Sequence, residues 1–592
     1  GQDGWEGYLD DSFNSNGDKE IGAIGENGWS WREFSKFVGP AWLVSIAYLD
    51  PGNLETDLQS GAQYGYTLGW VLLWSSILGI IVQVLSLRLG IVSRRNLAEM
   101  CRDEYPPRLT LLLWVMSEVM IVASDVPEVL GTAFALQILS SGAIDLTGGV
   151  LIASCSTMLF LVLSYFGKSP LELFVGFLVA VISACFVLEC ISSRPDAALS
   201  FSGMIRPQVP AGSEGIAMGL LGAVVMPHNL FLQSALVQSR PVRRARNSVE
   251  YACLYTSVET CVALLTSFLI NLSVMLVASS SFAPHWCERK EMVCHGGSDP
   301  CDGDSEGAKC MEVGLQNASA LLSRILGSRA SVLWGIALLA SGQSSTITGT
   351  YAGQFVMEGF VRLSCPLWVR NLLSRSLAVL PSLTVVLVAG AEGANDLIVF
   401  TSVILAVHLP FALIPLLKFT DSPLKMGNQR NSRHFSNFSW VLAGVVVLAD
   451  AALVWQTLVM PLLGDGNTPA KVPQLFIVFL CSVCYVALAG YLIWLPVKVG
   501  FVWCALCLVS CAFVCFFVVV CCCLVFVGVS LSLLLAVCLC SLWACAVFSL
   551  PPCILVLACA PLHTPQGQRY RAPVLLPPFL CEKSILSSSQ KT

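Results

Sequence analysis

The sequence predicts an all-α protein that threads a membrane about a dozen times, built as two inverted five-helix repeats whose first helices are both broken. Three observations predict it. Of 592 residues, 55% are hydrophobic and 12% charged, and mean hydropathy is +0.74. Apolar runs of about 20 residues, enough to cross a ~30 Å hydrocarbon core as a helix, recur from end to end, where a β-barrel would show short alternating segments. The second observation is Asp50-Pro51-Gly52-Asn53, set between the apolar stretches Phe37–Tyr48 and Leu68–Trp74. A carboxylate at membrane depth costs ~2.5 to 3.5 kcal/mol, and Pro-Gly beside it breaks a helix. Alone, such a tetrapeptide also reads as a surface turn. The third observation removes that isolation: Met226-Pro227-His228-Asn229 again places proline and polar groups inside an apolar run. Two broken helices at matching places in two halves mark a transporter's substrate site.

Taken in order, residues 1–36 are polar and acidic and read as a disordered cytosolic tail without a cleavable signal. The transporter core spans 37–500. Its first repeat, 37–190, holds spans near 38–62 (broken), 68–92, 110–139, 147–166 and 170–190. Its second, 216–417, holds 216–238 (broken), 252–280, 330–357, 371–390 and 395–417, and two further helices follow at 437–462 and 473–497. Five is odd, so the second repeat runs inverted relative to the first, and Asp50 and Met226 take corresponding midplane positions.

Basic residues cluster in alternate loops: Arg94, Arg95, Arg102 and Arg108; Arg240, Arg243, Arg244 and Arg246; Arg362 and Arg370; Lys418, Lys425, Arg430 and Arg433. That side is the cytosol by the positive-inside rule, which puts the N-terminus inside. The long external loop, 281–329, carries Cys287, Cys294, Cys301 and Cys310. On that face they suit disulfides; with His285 and His295 they could instead hold zinc, though no C-x-x-C pair is present. Asn317-Ala318-Ser319 is an acceptor triplet for N-glycosylation on the same side. Residues 501–592 form a hydrophobic extension to which no role is assigned; 12 of the chain's 26 cysteines fall between Cys504 and Cys559, a lipid-like composition without ligand spacing.

The two breaks supply a donor set. Asp50 and Asn53 offer oxygens, unwinding frees carbonyls such as that of Ala47, and the second break adds the Met226 thioether and the Ala223 carbonyl. One carboxylate, one amide, carbonyls and a sulfur suit a sulfur-tolerant divalent cation such as manganese, ferrous iron or cadmium better than magnesium or calcium. Met226 also reads as a gap-filling core residue, a reading that its place beside the break weakens.

Asp50-Pro51-Gly52-Asn53 with Met226-Pro227-His228-Asn229 resembles the paired motifs of the natural-resistance-associated macrophage protein (NRAMP) metal transporters. Gly342-Gln343-Ser344-Ser345-Thr346-Ile347-Thr348-Gly349-Thr350-Tyr351-Ala352-Gly353-Gln354 is similar to that family's transport signature, and the three matches fall in the expected order over about residues 30 to 500. Physically, Gly349 and Gly353 form a small-residue face for close helix packing, with Gln343 and Thr346 in the same stretch. The resemblance implies a LeuT-type fold and proton-linked import of manganese and iron. It implies that Asp50, Asn53, Met226 and the carbonyls of Ala47 and Ala223 bind the ion, and that protons travel past Glu118, Asp125 and Glu128. Spacings of seven and three residues place those three acids on one helix face, with Arg375 as the nearest plausible partner. A structural ion pair is the other reading. His228 could relay protons or bond the unwound backbone. Two positions depart from the family pattern: Ser402 stands where a glutamine that approaches the ion is usual, and Gln233 where a second histidine is usual.

No resident cofactor is expected, the metal being cargo, and the partners are manganese, iron and related ions, protons and the bilayer. The resident membrane is expected to be the plasma membrane or an acidic endolysosomal or vacuolar one. A formal charge of -5 and pI near 5.8 argue against a nucleic-acid partner. A sodium-coupled organic-solute symporter of the same fold, or a non-transporting receptor or scaffold, are the rival readings. Enzymes of the zinc-protease or ATP-driven type lack their motifs here.

Overall fold

Proline, glycine and isolated polar residues decide where these apolar helices stop. In the first span, Pro40–Ser45 is α-helical and Ile46–Leu49 tightens to a 3₁₀ turn. The chain then goes extended at Asp50, and Pro51–Tyr64 resumes the helix. The sixth span repeats the pattern as Glu214–Val224, an extended Met226, and Pro227–Leu236. Asp50 and Met226 share φ -69°, each directly before the proline that restarts its helix. The computed structural model describes residues 30–165, 168–240, 242, 246–282, 313–362, 367–454 and 472–495. The tail ahead of residue 30, Cys287, Cys294, Cys301 and Cys310, and the extension 501–592 lie outside them.

The remaining spans follow the apolar runs: Gly69–Ser93 second, Pro107–Leu139 third, Leu146–Tyr165 fourth and Lys168–Ser193 fifth. Arg246–Phe282 is the seventh and Ser328–Val361 the eighth. The ninth and tenth form one long element, Leu367–Asp421, parted at Gly390 (φ 66°), so no loop separates them; Arg433–Val454 and Val472–Trp494 complete the set. Among the described residues seven helices are long and apolar enough to cross a membrane, and one of these holds both the ninth and tenth spans. The first, fourth and twelfth appear as shorter apolar helices, and the hydroxyl-rich eighth falls below that apolarity, so the count reconciles with twelve spans. Large apolar side chains such as Leu111, Phe177, Leu188, Leu265 and Leu387 are exposed, as they are on a surface that faces lipid. The chain is an integral, multi-pass membrane protein.

Two features of the loops were not legible in the sequence. The segment 281–329 contains a helix, Leu315–Leu326, with Leu315, Ala318, Leu321 and Leu322 buried against the core. Its first amide, Leu315 N–H, donates to Glu55 Oε2 at 2.8 Å, a carboxylate placed at a helix N-terminus. Asn317 lies in its first turn, half-buried, its Oδ1 accepting the Gly314 N–H at 2.7 Å, so the acceptor triplet is held in a helix cap rather than an open loop. On the opposite face, Leu97–Glu104 is a short helix with an Asn96/Glu99 capping box. There Arg88 of the second span donates to Gln429 O (2.6 Å) and Asn431 Oδ1 (3.1 Å), and Gln429 Nε2 donates to Glu250 Oε1 (3.0 Å), tying spans two and seven to the loop after span ten.

Side-chain hydrogen bonds join spans one, two, six and seven into a bundle. Ser267 and Asn271 of the seventh donate to the carbonyls of Ser45 and Tyr48 at 3.0 and 2.9 Å. Gln83 of the second donates to the Tyr48 hydroxyl at 3.0 Å, and Ser86 to Leu230 O at 2.5 Å. A second group is spans three, eight and nine, in which ion pairs join the third to the ninth and Thr346 of the eighth bonds Glu128 of the third. The groups meet where Gly131 of the third span faces the Pro51 ring, and where Ser341 of the eighth donates to Leu49 O at 2.5 Å.

Candidate metal site

The two breaks lie against each other. Asp50 is 3% exposed and Asn53 fully buried, so the surface-turn alternative does not describe them. Asp50 caps the resumed helix, its Oδ1 accepting from Asn53 N–H at 2.9 Å and from Asn53 Nδ2 at 2.5 Å. Asn53 Nδ2 also donates to Ala223 O of the other break at 3.0 Å. The amide nitrogen thus bridges a carboxylate and a carbonyl from opposite repeats, while Asn53 Oδ1 is buried with no partner among the described residues. Met226, 2% exposed, follows two residues after the kink that starts at Val224.

Main-chain chemistry explains which carbonyls are available. An α-helical carbonyl is satisfied by the amide four residues on, and proline has no N–H. Four residues beyond Ala223 stands Pro227, which has no N–H to offer that carbonyl, while Ala47 lies in the 3₁₀ turn directly before the extended Asp50. Other carbonyls at the first break are taken up: Ser45 by Ser267, Tyr48 by Asn271, Leu49 by Ser341. These three polar residues were missed by sequence reasoning; the available signal was a lone amide or hydroxyl within an apolar run, as at Ile270-Asn271-Leu272.

Ser402, at the position that departs from the family pattern, lies against Gly52, the second residue after Asp50. A Cβ on Gly52 would lie 3.0 Å from Asp50 Oδ2 and 3.4 Å from Ser402 Oγ. Among the described residues no three His, Cys, Asp or Glu side chains converge. Beside the breaks stand instead one carboxylate, a carboxamide, a thioether and two carbonyls, a mixed set of candidate donors.

The third-span acids do share one face, and each has a cation. Arg375 Nη2 lies 2.5 Å from Glu128 Oε2 and 3.6 Å from Asp125 Oδ1, and Ser374 donates to Asp125 Oδ2 at 2.7 Å. Glu118 pairs with Arg370, not Arg375, at 3.0 Å, and accepts from Trp114 Nε1 at 3.0 Å. Arg370 is 6% exposed, so the basic loop after the eighth span is in part an intramembrane counter-charge. Thr346 donates to Glu128 Oε2 at 3.1 Å and Gln343 to Thr132 Oγ1 at 3.2 Å. Gly349 and Gly353 make room for side chains more than for a helix: a Cβ at Gly349 would meet Asp125 Oδ1 at 3.2 Å and Glu128 Oε1 at 3.3 Å, and one at Gly353 would strike the Arg370 guanidinium. His228 is buried with Nδ1 unpartnered among the described residues, and Gln233 Nε2 donates to Thr260 Oγ1 at 3.2 Å.

Residues 41–456 match the family model described as natural resistance-associated macrophage protein-like. The chain is 44% identical to the metal transporter Nramp3 of Oryza sativa subsp. japonica over 466 residues, covering 78% of this chain and 82% of that protein. It is 47% identical to the metal transporter Nramp6 of Arabidopsis thaliana over 419 residues, 71% of this chain and 76% of that one. Among solved structures, the manganese transporter of Eremococcus coleocola superposes with a TM-score of 0.66 at 28% identity, covering 79% of this chain and 96% of that chain. The chain belongs to the natural resistance-associated macrophage protein family.

Proposed function

We propose that the protein is a secondary active transporter that moves divalent transition-metal ions, Mn2+ and Fe2+ and also Cd2+, toward the cytosol by alternating access. The observation that carries this is the bridge Asp50–Asn53–Ala223, in which an amide nitrogen lies between two oxygens from opposite repeats. Half a turn of the Asn53 carboxamide replaces that donor by its unpartnered Oδ1. Asp50, Asn53 Oδ1, the Ala47 and Ala223 carbonyls and the Met226 sulfur then all face a cation. Its relatives' names and the manganese transporter of similar fold support the substrate class.

Transport is coupled to protons that pass along Glu118, Asp125 and Glu128, with His228 and Arg375 as further members. The support is a connected series: Arg370 on Glu118, Arg375 across Asp125 and Glu128, and Gly131 of the same span against Pro51 of the first break. An inside-negative potential of 100 mV drives a dication inward by about 4.6 kcal/mol, and one pH unit adds about 1.4 kcal/mol per proton. Coupling therefore matters most at low metal concentration or from an acidic compartment, in the plasma membrane or an endolysosomal or vacuolar membrane, with the N-terminus cytosolic. Release follows when the bundle of spans one, two, six and seven rocks against spans three, eight and nine.

The test is Mn2+ uptake into proteoliposomes with and without an inward pH gradient. Wild type accumulates the ion, faster with the gradient, and Met226→Ala relaxes discrimination against Ca2+. Equal uptake by wild type and Asp50→Asn defeats the proposal.

A further inference from the structure

A dication resting on Asp50 meets one formal negative charge among its donors. In a low-dielectric interior the second positive charge also needs an anion nearby. Most buried carboxylates near the bundle are already engaged. Asp125 and Glu128 share Arg375, Glu118 has Arg370, Glu55 accepts from Gln59 Nε2 and Leu315 N–H, and Glu259 Oε1 accepts from Gly39 and Ala41 N–H.

Asp57 differs from all of them. It is fully buried, and neither of its oxygens has a hydrogen-bond partner among the described residues. It stands four residues beyond Asn53 on the same helix, about 6 Å along the axis and on the same face. One turn further, Ser60 Oγ is buried and likewise unpartnered, so the face running outward from the site offers acceptors that nothing in the bundle fills. Gly61 seals that face, because a Cβ there would meet Ala278 Cβ at 2.7 Å and Ser279 N at 3.0 Å. Glu189 and Asp450 also hold unpartnered oxygens, but neither is on a broken helix: they sit on the fifth and eleventh spans.

We propose that Asp57 is the second counter-charge of the transported dication, a positioning and selectivity residue that neutralises the ion at Asp50 without coordinating it. The inference rests on the metal-site reading above. It gives this site a preference for doubly over singly charged ions that the direct ligands, with a single carboxylate, do not provide.

The test is Mn2+ binding to the purified full chain by calorimetry, alongside its melting temperature without metal. Asp57→Asn, isosteric and neutral, is expected to raise Kd at least fivefold while leaving the metal-free melting temperature unchanged or higher, and Asp57→Glu to recover part of the affinity. A Kd shift below fivefold overturns the proposal. So does a lowered melting temperature or failure to fold, either of which assigns Asp57 a structural role. If wild type binds no Mn2+, the metal-site reading itself fails; if Asp50→Asn abolishes binding and Asp57→Asn does not weaken it, only the present inference does.

Discussion

The third span and the resumed half of the first pack together where Gly131 meets Pro51, and both carry carboxylates among apolar helices, yet Arg370 and Arg375 pair with the third-span acids and no ion pair to Asp50 or Asp57 is found among the described residues. Glu118, Asp125 and Glu128 are matched by Arg370 and Arg375 within the fold. Asp50 accepts from the amide groups of Asn53, and Asp57 has no hydrogen-bond partner among the described residues. The first region is complete without a ligand, whereas the second is left short of positive charge. A cation entering the protein is attracted to the region that lacks one.

That contrast can be broken at four points. Asp50→Asn should reduce Mn2+ uptake to that of empty liposomes while the purified protein stays as heat-stable as wild type, since no cationic partner is orphaned. A strong loss of stability would place Asp50 with the structural pairs. Arg375→Gln should do the reverse and destabilise the fold by about 3–5 kcal/mol, because it leaves two buried carboxylates uncompensated. Glu128→Gln in that background should restore part of it, read from melting temperatures. Gly353→Ala should cost about 1–3 kcal/mol by crowding Arg370 off Glu118. Ser267→Ala, which deprives the Ser45 carbonyl of one donor, should cost about 1 kcal/mol in the same measurement.

The helical membrane class and both breaks were legible because their signals are local: proline and charge stand out in an apolar run. The stripe of third-span acids was legible too, since helical period alone places Glu118, Asp125 and Glu128 on one face. Their counter-charges were only half legible. Arg375 sits inside an apolar run, but Arg370 lies beside the loop and reads as one more cytosolic positive charge until the ninth span carries it against Glu118. Gly349 and Gly353 read as a packing face because sequence shows an absent side chain but not what fills the space. Asp57 gave no signal at all, since isolation of a carboxylate is a property of its neighbours. The helix Leu315–Leu326 was hidden for a related reason: its buried apolar face is set within a polar external segment that composition averages away.

The prolines at 51 and 227 have a consequence for how the proposed site is altered. Two of the five proposed donors are main-chain oxygens, so exchanging Ala47 or Ala223 for another small residue should leave the chemistry offered to the ion as it was. Replacing Pro51 or Pro227 by alanine, in contrast, leaves every proposed side-chain donor intact but returns an N–H and removes the ring's restraint where each helix restarts, so metal binding should fall although no donor side chain has changed. Mutational scans that look only at what side chains contribute would miss the residues that keep the backbone undone.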